Sequence, residues 1–438
     1  MTDDMRTVTT CRVCGGHDLR EVISFGSVPL ANTYPAADTA PGDQPWYPLE
    51  VIRCQNCRLV CLRHVVNAEA LYRDYFYVTP DARSIDSHMR WVTAECLERY
   101  AVPQDSLVVE LGSNIGTQLQ IFRQAGARVL GVDPAKNLSQ VAEHNGVPTI
   151  PEFFGDELAT TVAREHGNAH VIIGRHVFAH IDDLTDVLAG ARTLLHRDGV
   201  FVVEVPYLLD LLTKNQFDTI YHEHLSYFSV ATLERVFAAN GLRLVDVRHA
   251  DVHGGSILAF AGLPDGKWRA TDRVGEFLDL EQDYGLDRDE PYQRFSGRVD
   301  RTIQELRSCL RTMSGEGLTV AGYGAPAKGN TLINMCRLGA EEIAFCTDTT
   351  EQKQGRLIAG TRIPIRPPDH ADLHRPDAYL LLAWNYAKEV VDREFAYLAS
   401  GGRFVVPIPD VVTVSSTTLV DQFFGVAAGR DTRLAFPA

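Results

Sequence analysis

The densest chemistry in this chain lies in Tyr221-His222-Glu223-His224, a phenol, a carboxylate and two imidazoles within four residues. Imidazole titrates close to neutral pH, so such a cluster suits removal and return of a proton. His176 and His180 follow the apolar run Val171–Gly174 and are placed to face the same crevice. The spacing is not His-Glu-x-x-His, so a zinc-protease reading fails. A two-histidine metal site and a purely structural loop remain alternatives on these residues alone. Lys328, just past Gly322-Tyr323-Gly324, is a point cation suited to phosphate or a solvated lysine at a helix start.

Metal chemistry points elsewhere. Cys11-Arg12-Val13-Cys14 and Cys54-Gln55-Asn56-Cys57 form two Cys-x-x-Cys knuckles, the first followed by Gly15-Gly16. Four thiolates so spaced suit a closed, structural tetrahedral zinc with no position open to substrate. The alternative is a pair of unmetallated hairpins with buried thiols. Cys61 falls outside the pattern and reads as core. Five prolines between the knuckles, from Pro29 to Pro48, leave little room for helix, so strands and loops are expected there.

These residues need elements to hold them. Val108–Leu111 reads as a buried strand running through Glu110 into Gly112-Ser113-Asn114-Ile115-Gly116, with a helix beginning near Gln118. A second strand, Val129–Asp133, ends in an acid placed to bind ribose hydroxyls. One acid and a single Gly-x-x-x-Gly are not the dinucleotide fingerprint; the turn looks more like that of an S-adenosylmethionine methyltransferase. Further strands are expected at Val171–Gly174, Val200–Val205, Leu242–Val247 and Ile257–Phe260, with helices over Thr117–Gln124, Ile181–Leu195 and Val230–Asn240. Alternating strand and helix predicts a parallel sheet clad on both faces. Residues 275 to 316 carry apolar positions at helical spacing and read as one long connecting helix. A second strand-turn-helix then opens at Leu318–Ala325. The aromatic run Tyr72–Tyr77 is either a packing hinge or, through Tyr75 or Tyr77, part of a site mouth.

At 438 residues two or three domains are expected. The net charge of −15 argues against a nucleic-acid partner. No apolar run approaches the ~20 residues that cross a bilayer. The first residues lack a basic and apolar leader pattern, so the chain is expected in the cytoplasm, with no membrane partner.

The chain resembles the S-adenosylmethionine-dependent sugar C-methyltransferases of antibiotic deoxysugar pathways, which act at C-3 of nucleotide-linked 4-keto sugars. The likeness spans roughly residues 10–415 and rests on ordered motifs. They are the two knuckles, Glu-Leu-Gly-Ser-Asn-x-Gly-Thr at 110, Val-Phe-Ala-His-Ile at 177 and Phe-Asp-x-Ile-Tyr-x-Glu-His at 217. Val-His-Gly-Gly-Ser at 252, Gly-Tyr-Gly-Ala-x-Ala-Lys-Gly-Asn at 322, Asp-Thr-Thr at 348 and Ala-Trp-Asn at 383 follow.

The resemblance implies an α/β chain: an N-terminal zinc-binding domain (1–70) holding zinc on Cys11, Cys14, Cys54 and Cys57, then two Rossmann-like doubly wound domains. The first of these (71–274) binds S-adenosylmethionine through Glu110, Gly112, Ser113, Asn114, Gly116, Asp133 and His176. The second (317–438), beyond the 275–316 connector, anchors the nucleotide sugar. His224 is implied as the base, tuned by Glu223, with Tyr221 and His180 at the enolate oxygen. Tyr75, Tyr77, Tyr323, Lys328, Asn330, Trp384 and Asn385 are implied to meet a keto-deoxysugar linked to a nucleoside diphosphate, thymidine diphosphate first. Two departures stand out: Ile115 where the family has Asp, and His176 where Asn is expected. The alternatives are methylation of another enolisable product, enolisation without methyl transfer, and a non-enzymatic binding protein. The oligomeric state is left open, a monomer being compatible.

Overall fold

The computed structural model describes residues 4–72, 78–79, 83–415 and 436. Tyr75 and Tyr77 lie outside the described residues. The fold is α/β, an N-terminal unit with four clustered cysteines followed by two Rossmann-like sheets.

The central sheet has seven strands, in the order Arg243–Ala250, Ser256–Gly262, Leu195–Pro206, Ala169–Arg175, Leu107–Leu111, Arg128–Val132, Thr149–Ile150. Ser256–Gly262 runs antiparallel to both neighbours; the remaining pairs are parallel. Val108, Val109, Val171, Ile172 and Val200 to Val203 are fully buried, as expected of strands covered by helices on both faces. The chain builds outward from Leu107–Leu111 in one direction, then in the other from Ala169–Arg175. That reversal opens a crevice at the strands' carboxyl ends.

The C-terminal sheet repeats this plan. Its order is Ile365–Arg366, Cys346–Thr347, Val320–Tyr323, Ala378–Leu381, Arg403–Val406, Val412–Val414, with only the last strand antiparallel. Its reversal lies between Val320–Tyr323 and Ala378–Leu381.

Two expectations need correcting. The connector is not one helix: Asp272–Tyr284 ends at Gly285, whose φ of +88° closes the first helix in the left-handed conformation. Pro291 sits in the first turn of the second, Glu290–Gly315, where its missing N–H costs nothing. The N-terminal sheet, moreover, is not made by the N-terminal segment alone. Leu19–Val28, Tyr47–Cys54 and Val60–Leu62 are joined by Ser226–Tyr227, which pairs antiparallel with Val60 and Cys61. The residues directly after His224 are thereby stitched to the cysteine-bearing unit.

Candidate active site

The glycine turn after Leu107–Leu111 is shaped by steric necessity. Gly112 and Gly116 have φ of +65° and +80°, and a methyl group on either would lie within 3 Å of Val177 or Val147. Asp133 closes the turn: its carboxylate accepts the N–H of Asn114 (2.7 Å) and of Ala135 (2.9 Å). It is therefore already engaged as a backbone clamp, and only its remaining lone pairs face the crevice. Asn114 in turn accepts from the Thr79 N–H and hydroxyl at 3.1 and 3.2 Å. Burial lifts the Glu110 carboxyl to about 8, against the pull of Arg175. One Glu110 oxygen and the Ser113 hydroxyl are buried without a hydrogen-bond partner among the described residues. These open polar atoms beside a cradle only glycine permits fit a nucleoside-type cofactor.

From this turn one cleft of about 1650 Å³ continues to the carboxyl ends of the C-terminal sheet. Tyr221, His224 and His180 line it. The Nδ1 of His224 lies 2.7 Å from the Thr219 carbonyl, and a carbonyl can only accept, so Nδ1 carries the proton. The free lone pair is then on Nε2, 3.0 Å from the Tyr221 hydroxyl, which donates to it. Loss of water around the ring holds the His224 imidazole at about 4, so it is neutral at physiological pH. The His180 ring stands 5.0 Å away, edge to face, and its Nδ1 is 2.9 Å from the Tyr72 hydroxyl.

Three parts of the chain hold this loop. Arg12, inside the first cysteine knuckle, donates to the carbonyls of Ile181 and Asp182 (both 3.1 Å) and to Leu225 (2.9 Å) and Ser226 (2.6 Å). It thus grips the residues that follow both His180 and His224. At the loop's other end Asp218 accepts the Trp384 indole N–H at 2.6 Å. Glu223 accepts from Asn32 (2.7 Å) of the N-terminal unit, and the hydrogen bonds of His224 go to Tyr221 and Thr219.

The cysteines come together as expected. All four sulfurs lie within 4.8 Å of one another, with Cys11–Cys57 at 3.4 Å and Cys14–Cys54 at 3.6 Å. Tetrahedral zinc with bonds of ~2.3 Å sets sulfurs about 3.8 Å apart, so the set fits zinc and is far too open for disulfides. Cys61 is buried outside it.

Below the cleft, Glu204 is fully buried against Arg175 (2.7 Å) and His88 (2.5 Å). Burial alone would raise its carboxyl, but Arg175, His176 and His88 outweigh that and hold it well below the usual range. His176 lines the cleft beside it, with a φ of +55° and a ring 4.5 Å from that of His253. His253, also left-handed at +54°, went unmarked as a site residue although its Val-His-Gly-Gly-Ser motif was visible. Gly255 beside it packs so close to Asp210 that a methyl would clash at 2.1 Å, and the turn aims His253 inward.

At the C-terminal end Tyr323, Lys328 and Asn385 line the cleft; Asn330 and Trp384 do not. Asn330 is buried, donating to the Ala31 carbonyl at 2.8 Å. Trp384 spends its N–H on Asp218, while Lys328 lies 4.5 Å over its ring and bonds Asn385. Burial lowers the Lys328 ammonium to about 8, with Asp218 opposing. Lys353 and Arg393, not foreseen, add two cations to the same end. Asp348 repeats the Asp133 clamp, accepting the N–H of Ala325 and of Thr350, both at 2.8 Å.

Comparison with known proteins agrees with this layout. Residues 11–72 match a zinc-binding domain family, 85–247 a methyltransferase domain and 251–409 a C-methyltransferase C-terminal domain. The C-methyltransferase NovU of Streptomyces niveus is 48% identical over 419 residues, 95% of this chain and 100% of that protein. Among solved structures, magnesium protoporphyrin IX methyltransferase from Synechocystis (16% identity; 41% of this chain, 82% of that one) has a TM-score of 0.32. An S-adenosylmethionine-dependent methyltransferase from Clostridium acetobutylicum (11%; 42% and 93%) reaches 0.33. Both likenesses are too slight to bear on the site. With the NovU match running almost end to end over the zinc unit and both sheets, this chain belongs to the C-methyltransferase family of NovU and is an S-adenosylmethionine-dependent C-methyltransferase.

Proposed function

We propose that this enzyme methylates the carbon next to the ketone of a nucleotide-linked 4-keto-deoxysugar in natural-product deoxysugar biosynthesis. The observation carrying this reading is that His224, Tyr221 and His180 line the same cleft as the acid-and-glycine turn and a second switch point bearing Lys328, Lys353 and Arg393. Lys328, Lys353 and Arg393 are the cations that could meet two phosphates there, set among Asp348, Asp372, Glu389 and Glu394 at the same strand ends. The name of NovU supplies the reaction class, methyl transfer to carbon. On this reading the zinc unit runs to about residue 70, the cofactor domain to 274 and the connector to 316.

A carbon beside a ketone becomes nucleophilic only after losing a proton. His224 takes that proton on Nε2 as the Tyr221 hydroxyl turns from the lone pair to the substrate oxygen. The carbon–hydrogen electron pair moves into the enolate, whose oxygen is held by Tyr221 and His180. S-adenosylmethionine, when bound, supplies an electrophilic methyl and a positive charge. Glu110, Gly112, Ser113, Asn114, Gly116, Asp133 and His176 are the residues placed to hold it. An imidazole at about 4 is roughly 3 kcal/mol harder to protonate than a free one. The enolate's negative charge beside the new imidazolium offsets that cost inside a cleft that excludes water.

Incubation with methyl-labelled cofactor and a panel of nucleoside-diphosphate 4-keto-deoxysugars tests the proposal. Label should enter the sugar carbon, and thymidine diphosphate should raise the melting temperature. Label in no sugar, but in a different enolisable acceptor, would replace the substrate assignment.

A further inference from the structure

His180 and His224 are chemically identical side chains 5.0 Å apart in one cleft, yet the reaction proposed above asks opposite things of them. One must take a proton from carbon; the other must offer a hydrogen bond to the developing enolate oxygen. We infer that Tyr72 fixes His180 in the tautomer opposite to that of His224, so the cleft is offered one imidazole lone pair and one imidazole N–H. Tyr72 is on this account a positioning residue that reaches the site through the end of the helix Ala68–Tyr72. The inference rests on the enolate reading above and deepens it.

The two Nδ1 atoms meet different partners. In His224 the Thr219 carbonyl accepts a hydrogen bond from the Nδ1–H, leaving the lone pair on Nε2. In His180 the corresponding Nδ1 meets no carbonyl among the described residues; it lies 2.9 Å from the Tyr72 hydroxyl. A phenol is a better donor than an imidazole N–H, and an imidazole nitrogen a better acceptor than a phenol oxygen, so the proton in this bond belongs to Tyr72. Nδ1 of His180 is then an acceptor, and Nε2 must carry the ring's proton. Burial, with the Glu223 charge adding to it, keeps the Tyr72 phenol protonated far above the usual range. Burial, helped by His224, keeps His180 neutral. A neutral imidazole N–H can polarise a carbonyl oxygen without surrendering its proton. The balance is simple: the carbon-bound proton goes to Nε2 of His224, and the electron pair goes to the substrate oxygen. The Nε2 proton of His180 stays where it is. With the same tautomer on both rings, the cleft would hold two bases and one donor fewer.

Histidine-selective ¹⁵N labelling of the full chain reads the tautomers directly, with His180 assigned from its loss in His180→Gln. Wild type should show His180 protonated on Nε2 and His224 on Nδ1. Tyr72→Phe keeps the ring but loses the hydroxyl; its His180 should become a mixture of tautomers. Its kcat should fall roughly ten- to hundredfold, with KM within about twofold. A wild-type His180 protonated on Nδ1, or an unchanged His180 tautomer in Tyr72→Phe, overturns the inference whatever the substrate is. An intact opposite-tautomer pattern that Tyr72→Phe abolishes upholds it, even where 4-keto sugars prove not to be turned over and only the substrate reading falls.

Discussion

Arg12 donates to the carbonyl of Leu225 at 2.9 Å, joining a zinc knuckle to the residue after His224 across 213 positions of sequence. The same guanidinium reaches Ser226, Ile181 and Asp182, and its side chain is 5% exposed. The four sulfurs stand far from the chemistry in sequence, yet they set the origin of an arm that ends on both histidine loops.

Replacing Arg12 with Lys keeps the charge but loses the planar fork that serves several acceptors at once. We expect kcat to drop roughly tenfold to a hundredfold, with zinc content unchanged at one per chain by atomic emission. Slow zinc removal by a chelator should cause a larger loss together with a lowered melting temperature. Full activity in a zinc-free, folded chain would show the knuckles to be irrelevant to the site.

His224→Asn should leave cofactor affinity near wild type by titration calorimetry while reducing methyl transfer by roughly a thousandfold. The substrate's exchange of its α-hydrogen for solvent deuterium should vanish with it, because the base acts before the methyl moves. Exchange at the wild-type rate in this variant would assign the base elsewhere.

The sheets could be read from the sequence because their strands are buried on both faces and so nearly all apolar; Val171–Gly174 and Val200–Val205 are short and rich in β-branched residues, which favours strand over helix. Gly112 and Gly116 were legible as a Gly-x-x-x-Gly turn after an acid-bearing strand, and the structure adds that a side chain at either would strike Val177 or Val147. The four cysteines and the Tyr221–His224 cluster were legible as local spacings. Contacts made across the fold were not. Nothing local marks Arg12 as the grip on two loops, or Ser226–Tyr227 as a strand of another unit's sheet. Asn330 and Trp384 belong to two motifs whose other members line the cleft, but their own side chains turn away to tie Ala31 and Asp218. The spacing gives the motif and not which of its members points inward.

His222 is buried behind the cleft, 3.3 Å from the Pro48 carbonyl, and burial holds its imidazole at about 4. Between pH 6.5 and 4 the unfolded chain therefore binds a proton that the folded chain refuses. Stability from this group is present above pH 6.5 and is lost as pH falls, by up to roughly 3 kcal/mol at pH 4. Glu110, Glu281 and Asp218, raised to about 8, 7 and 6, work in the opposite sense, so whole-protein melting mixes both. The difference between wild type and His222→Gln isolates one imidazole. The variant should be less stable at pH 7 and close the gap by pH 4. A gap independent of pH would mean His222 titrates normally in the fold.

Glu110 offers a direct readout of cofactor binding. Its carboxyl, lifted to about 8 by burial, is mostly protonated at pH 7 in the free enzyme, and one of its oxygens has no partner among the described residues. S-adenosylmethionine brings a sulfonium and an ammonium into the same pocket, and either positive charge favours the carboxylate. Binding at pH 7 should therefore expel close to one proton. Calorimetry in buffers of different ionisation enthalpy counts that proton. The count should shrink above pH 8, where Glu110 is already ionised, and disappear in Glu110→Gln. A count near zero at pH 7 in wild type would mean that Glu110 is ionised before the cofactor arrives, and that Arg175 outweighs the burial.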